Sequence, residues 1–220
     1  MYKDDFDQIL DLIKSQQHDD LYDRCSNDMQ DKYSGALINK YLKSTLGITG
    51  AMQSYKHEAS TYDYDAEFEA VNSTIEYHTV FDKCEGNVTL ALTSEDDDTE
   101  ITDFYFDLDD IFEIKSINKA VKDLFKLLEK KEYKKAYEGA SDNFKRLNYD
   151  NFFEALLTDI PNISFDKLEF TDAVLKLQED SNNVLLEIGY SLPNYAGVVI
   201  NFNILEDEKY QLESFEYIDP

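Results

Sequence analysis

What most constrains this chain is an internal echo. The apolar pattern of Ile9, Leu10, Leu12, Ile13, Leu21, Tyr22, Cys25, Met29, Leu37, Ile38, Tyr41 and Leu42 returns 115 residues later. The second set is Leu124, Phe125, Leu127, Leu128, Ala136, Tyr137, Ala140, Phe144, Phe152, Phe153, Leu156 and Leu157. The correspondence runs through 34 positions without a gap, yet only Leu12, Tyr22, Ser26 and Leu42 have identical partners. A pattern kept while identities drift encodes a core and not a chemistry. It resumes at a shift of 111, where Gly86 meets Gly197, Val88 meets Val199, Ile101 meets Leu212, Phe104 meets Phe215 and Phe106 meets Tyr217. With 220 residues, each half of roughly 110 is long enough to bury a core of its own. Domains over 1–112 and 113–220 are therefore expected, with the seam at 110–116.

In each half the helical signals come first and the strand signals follow. Apolar spacing of three and four predicts helices over 6–13 and 21–29, and Ser34 caps a third through residue 46. Gly47 and Gly50 end the helical region. From Met52 the period changes to two: Tyr62, Tyr64, Ala66, Phe68 and Ala70 fall on one side, and Asp63, Asp65, Glu67 and Glu69 on the other. That alternation predicts a strand with one buried face. Further strands are predicted over 74–81, 87–93 and 102–108, with turns at Glu85-Gly86-Asn87 and at 95–98. The second half predicts helices over 117–130, 133–140 and 149–158, and strands over 164–170, 173–178, 184–191, 197–204 and 211–217. The fold class expected is α+β: two tandem repeats, each of about three N-terminal helices packed on a curved antiparallel sheet of about four strands.

The stretch Leu127-Leu128-Glu-Lys-Lys-Glu-Tyr-Lys-Lys-Ala-Tyr-Glu-Gly-Ala-Ser-Asp-Asn-Phe144, then Phe152-Phe153 and strands ending in Leu212-Glu-Ser-Phe215, resembles bacterial domains of unknown function with the nuclear transport factor-like, or cystatin-like, cone. The resemblance implies two such cones in tandem over almost the whole chain. Its superfamily holds ketosteroid-isomerase-like enzymes beside many ligand-binding and association modules, so fold alone decides no function.

No motif argues for catalysis. There is no Gly-rich phosphate loop, nucleophile elbow or two-histidine metal helix, and His18, His57 and His78 read as exposed or core-edge residues. No catalytic residue, cofactor or metal ligand is assigned. Asp96-Asp97-Asp98-Thr99-Glu100 lacks the Gly and the spacing of a calcium loop and reads as a solvated turn. Cys25 and Cys84 read as reduced cysteines with Cys25 packed on a helix, and a single disulfide between helix layer and sheet is the alternative. No apolar run approaches the roughly 20 residues of a membrane helix, and the opening Met-Tyr-Lys-Asp-Asp is not a signal peptide. The chain as it stands reads as cytoplasmic; an extracytoplasmic protein trimmed of its signal would read the same.

Charge carries the functional expectation. The chain holds 21 basic and 47 acidic residues, a net charge of −26. Residues 1–112 hold 26 acids and 8 bases, and within 51–110 there are 17 acids against Lys56 and Lys83 alone. Like charges on an exposed sheet face repel, which costs stability that a partner can return. Such a face rejects nucleic acid and anionic membrane, and it steers a basic protein toward itself. The expectation is a non-catalytic protein that presents Asp63, Asp65, Glu67, Glu69, Asp103, Asp107 and Asp109 to a basic protein partner, as an immunity protein or inhibitor of a bacterial toxin does. A small-molecule ligand in a cone pocket and a structural cell-envelope module stay open as alternatives, with an isomerase-like enzyme ranked below them.

Overall fold

A computed structural model describes residues 3–66, 70–95, 98–159, 165–178, 183–192, 197–205 and 209–218. Four α-helices come first: α1 (Lys3–Lys14), α2 (His18–Tyr22), α3 (Asn27–Lys32) and α4 (Gly35–Thr49). Strands β1 (Met52–Asp65), β2 (Ala70–Phe81), β3 (Glu85–Glu95) and β4 (Asp98–Leu108) follow. After a short 3₁₀ turn come α5 (Lys115–Glu129), α6 (Tyr133–Gly139), α7 (Asp142–Leu147) and α8 (Phe152–Asp159). The chain then forms β5 (Glu169–Gln178), β6 (Asn183–Ser191), β7 (Gly197–Leu205) and β8 (Lys209–Ile218).

All eight strands lie in one antiparallel sheet in the order β1-β2-β3-β4-β5-β6-β7-β8. This overturns the expected two tandem repeats with separate four-stranded sheets. Apolar alternation states which face of a strand is buried but not where pairing stops, and an exposed sheet edge leaves backbone donors and acceptors that another strand can satisfy. The helix count is also corrected, from about three to four before each run of strands. Ser26 cuts the predicted 21–29 helix in two: its Oγ accepts from the Met29 N–H at 3.3 Å to start α3, and its own N–H donates to Ile101 O of β4 at 2.8 Å. Ser141 does the same between α6 and α7, accepting from Phe144 N–H at 2.9 Å and donating to Leu212 O of β8 at 2.8 Å. A serine that caps a helix also withdraws its backbone from the preceding one.

By its contacts the chain divides into two compact units, residues 1–110 with 175–184 and residues 111–174 with 185–220. In the first unit Phe6, Ile9, Leu10 and Ile13 of α1 and Leu37, Ile38, Tyr41 and Leu42 of α4 are buried. Tyr41 lies against Phe104 and Phe106 of β4, with ring centroids 5.6 and 5.7 Å apart. These helices therefore cover one face of β1–β4, called here the inner face. The Tyr41 hydroxyl donates to Leu175 O at 2.8 Å, and burial raises its pKa well above the usual phenol range. In the second unit Phe153 of α8 lies 5.7 Å from Phe215, and Phe125 of α5 lies 5.5 Å from Tyr190.

Three strand expectations are corrected. The separate strands expected over 164–170 and 173–178 are, in the described residues, a 3₁₀ turn at Phe165–Lys167 followed by the single strand β5 from Glu169. The alternation read across residues 62–70 as one strand straddles the end of β1 at Asp65 and the start of β2 at Ala70. Period two persists through a hairpin, so it does not reveal the reversal. The Glu85-Gly86-Asn87 turn is instead inside β3, where Gly86 pairs with Thr79 and Leu108. A Cβ at Gly86 would strike the Asp107 carbonyl oxygen, so this glycine serves close backbone approach, not a reversal. Cys25 and Cys84 are both free and buried.

Candidate functional site

The register of β1–β4 sorts every side chain onto one of two faces. Inner-face ladders run through Ile75, Leu90 and Phe104, and through Tyr77, Val88 and Phe106. The outer face, turned away from α1–α4, is built of cross-strand rows. One row is Asp63, Asn72, Thr93 and Glu100; the next is Thr61, Thr74, Ala91 and Asp103; nearer the other end comes Lys56, His78, Asn87 and Asp107. In the first two rows the acids stand on the flanking strands, β1 and β4, with short neutral side chains between them, whereas toward the Lys56 end the central strands add Glu76, His78 and Glu85 to the same face.

With neighbouring strands about 4.8 Å apart, the two flanks are separated by about 14 Å. This exceeds the Debye length of about 10 Å at 0.1 M salt, so repulsion across the face is largely screened. Between the flanks lies a depression of about 300 Å³ bounded by Thr61, Asp63, Asn72, Thr74, Ala91 and Thr102. The small Ala91 side chain and the extra residue Thr102, where β4 bulges opposite Ala91 and Leu92, shape its floor. Thr93 donates to Asn72 Oδ1 at 2.8 Å, which fixes that amide across two strands. At the opposite end Asn87 Nδ2 donates to Glu76 Oε1 at 2.7 Å, and His78 Nε2 lies 3.4 Å from Glu85 Oε2.

Of the expected contact residues, Asp63 and Asp103 are exposed and Asp65 and Asp107 are half-buried, all four on this face. The Phe104 N–H donates to Asp103 Oδ1 at 2.8 Å, which orients that carboxylate. Asp109 is exposed just beyond β4, its N–H bonded to Glu85 O at 3.1 Å. Glu67 and Glu69 lie outside the described residues, as do Asp96 and Asp97. Sequence reasoning missed Glu100, because the bulge at Thr102 reverses the parity that links it to Asp103 and Asp107. It also assigned Tyr62 and Tyr64 to a buried face, whereas they are 60% and 62% exposed. They share the inner face with Ser73 and Val71, but the end of β1 that carries them is not covered. Lys56 is the single lysine or arginine in the four strands.

The second unit presents different chemistry. Tyr190 is 7% exposed, its ring 6.2, 5.5 and 6.5 Å from those of Phe112, Phe125 and Phe170. Among the described residues its buried hydroxyl has no hydrogen-bond partner, and burial raises its pKa far above the usual phenol range. Among the described residues no group of three or more His, Cys, Asp or Glu side chains is placed to hold a metal ion, and no helix is long and apolar enough to cross a membrane. No family model, no curated protein and no solved structure matches this chain.

Proposed function

We propose that the protein binds a basic protein partner through the outer face of β1–β4, neutralising a cationic effector of the toxin class. The observation that supports this most is the gathering of Asp63, Glu100, Asp103 and Asp107 on one sheet face whose strands contain a single lysine or arginine, Lys56. Carboxylates on two flanks of a hydroxyl-lined trough suit long cationic side chains, whose stems lie over threonines while their heads reach either flank. The exposed Tyr62 and Tyr64 project from the opposite face of β1 and are not part of this outer-face contact. The charge also speeds encounter and makes it salt-dependent.

Cytochrome c, a folded basic protein, serves as the probe. Neutralising D63N/E100Q/D103N is expected to weaken its binding by about tenfold or more and to flatten the salt dependence. Neutralising the same number of exposed acids in the second unit, E129Q/E138Q/E154Q, is expected to leave binding near the unaltered value. If the two triple variants behave alike, only net charge is at work and the face has no special role.

A second reading has one observation in its favour. The unpartnered phenol of Tyr190 amid phenylalanines suits a small aromatic ligand that offers a hydrogen-bond acceptor. Acetophenone binding in the range of about 1 mM, lost in Y190F, would favour that reading; no binding would remove it.

A further inference from the structure

Among the described residues β1 is the first strand of the sheet and pairs with β2 alone, so one side of its backbone is an edge. Edges are ordinarily blunted by bulges, lysines, prolines or covering groups, because an open edge recruits another strand. In β1 those devices sit in its first half. Register shifts fall between Met52/Ser54 and His57/Ala59, Lys56 lies between them, and Lys14 Nζ of α1 donates to the Gln53 carbonyl at 2.9 Å. From residue 60 to 65 pairing with β2 is continuous, from Ser60↔Ile75 to Asp65↔Ala70, and the segment contains neither lysine nor proline.

We propose that residues 60–65 of β1 receive an extended basic segment of the partner as an added β-strand. This rests on the acidic-face reading above and gives it a binding mode. Side chains of an added strand lie about 5 Å from their neighbours on β1. Alternate residues of the incoming segment would then stand beside Thr61, Asp63 and Asp65 on the outer face, and the others beside Tyr62 and Tyr64. The chemistry selects a segment in which lysine or arginine alternates with apolar residues: cations match the aspartates and apolar side chains match the exposed rings. Main-chain hydrogen bonds supply affinity, and the alternation supplies register.

The test uses a peptide of about eight residues alternating arginine and valine, with two N-methylated forms, one methylated at every arginine and one at every valine. Only one of these sets has its N–H groups toward β1. The expected result is that the parent peptide shifts and protects the amides of residues 60–65. One methylated form should lose affinity by about tenfold or more while the other keeps it. Equal binding by all three forms would overturn strand addition and leave the acidic face standing. If the parent peptide fails to bind, or binds D63N/E100Q/D103N as tightly as the unaltered protein, the acidic-face reading fails and this inference with it.

Discussion

Strands β2–β4 and β6–β8 are paired in the same register but clothed differently. Val88↔Phe106, Leu90↔Phe104 and Leu92↔Ile101 in the first set match Val198↔Tyr217, Ile200↔Phe215 and Phe202↔Leu212 in the second. The irregularity between Ala91 and Leu92 recurs between Asn201 and Phe202. Ile75 and Tyr77 stand where Ile188 and Tyr190 stand. On the outer face the likeness ends: Glu100, Asp103 and Asp107 correspond to Gln211, Ser214 and Ile218, and Asn72 corresponds to Leu185. A one-residue slip would turn every buried side chain outward, so the inner residues hold the register. The outer residues are under no such constraint, and the acids of the first set are therefore not a requirement of the fold.

The comparison also corrects the alignment made from sequence. Gly86 and Gly197 matched there, and Val88 with Val199, but the ladders place Val88 opposite Phe106 as Val198 is opposite Tyr217. The shift of 111 holds for β4 and β8, while β3 and β7 differ by 110. Glycine substitution tests this with the largest expected effect. Gly86→Ala drives a Cβ into the Asp107 carbonyl and is expected to cost about 1–3 kcal/mol. At Gly197 a Cβ would meet the Tyr190 carbonyl oxygen at an ordinary 3.4 Å, and Gly197→Ala is expected to change stability by less than about 0.5 kcal/mol. Equal costs in urea unfolding would restore the sequence alignment.

Next in size is the thiol part of an alkaline effect, which belongs to the first unit because both cysteines lie there and Cys25 corresponds to Ala140. Burial pushes the Cys25 thiol up to about 12, and burial followed by Asp110 and Asp109 pushes the Cys84 thiol up to about 11. Between the unfolded thiol value near 9 and these folded values, the unfolded state releases protons that the folded state keeps. Stability is therefore full below about pH 9 and falls as pH rises, by about 2 kcal/mol near pH 10.5 for Cys25. In Cys25→Ala the slope of unfolding free energy against pH should flatten over that window; an unchanged slope would mean the thiol is not the group responsible.

The smallest effect concerns the acids themselves. Giving the first sheet the residues of the second, E100Q/D103S, is expected to leave stability within about 0.5 kcal/mol, with a slight gain at low salt as repulsion is relieved. A loss beyond 1 kcal/mol would show that these carboxylates hold the fold, and would remove the argument that they are kept for a partner.

Much of the local structure was legible. Apolar spacing located α1, α4, α5 and most of the strands, and Ser34 marked a helix start by a hydroxyl that accepts from Leu37; the starts at Ser26 and Ser141, which accept from Met29 and Phe144, were not read. The aspartates were legible as a group because their alternation along β4 is a local property. What escaped was nonlocal: Glu100 joined the face through the Thr102 bulge, the exposure of Tyr62 and Tyr64 followed from where helix cover ends, and Tyr190 gives no sequence sign of lacking a partner. The sequence by itself determined which residues face a core, since that follows from period and polarity. Tertiary structure alone decided that eight strands share one sheet, that β1 is left at its edge, and which acids meet across four strands, because pairing partners and register are set by backbone hydrogen bonds between distant segments.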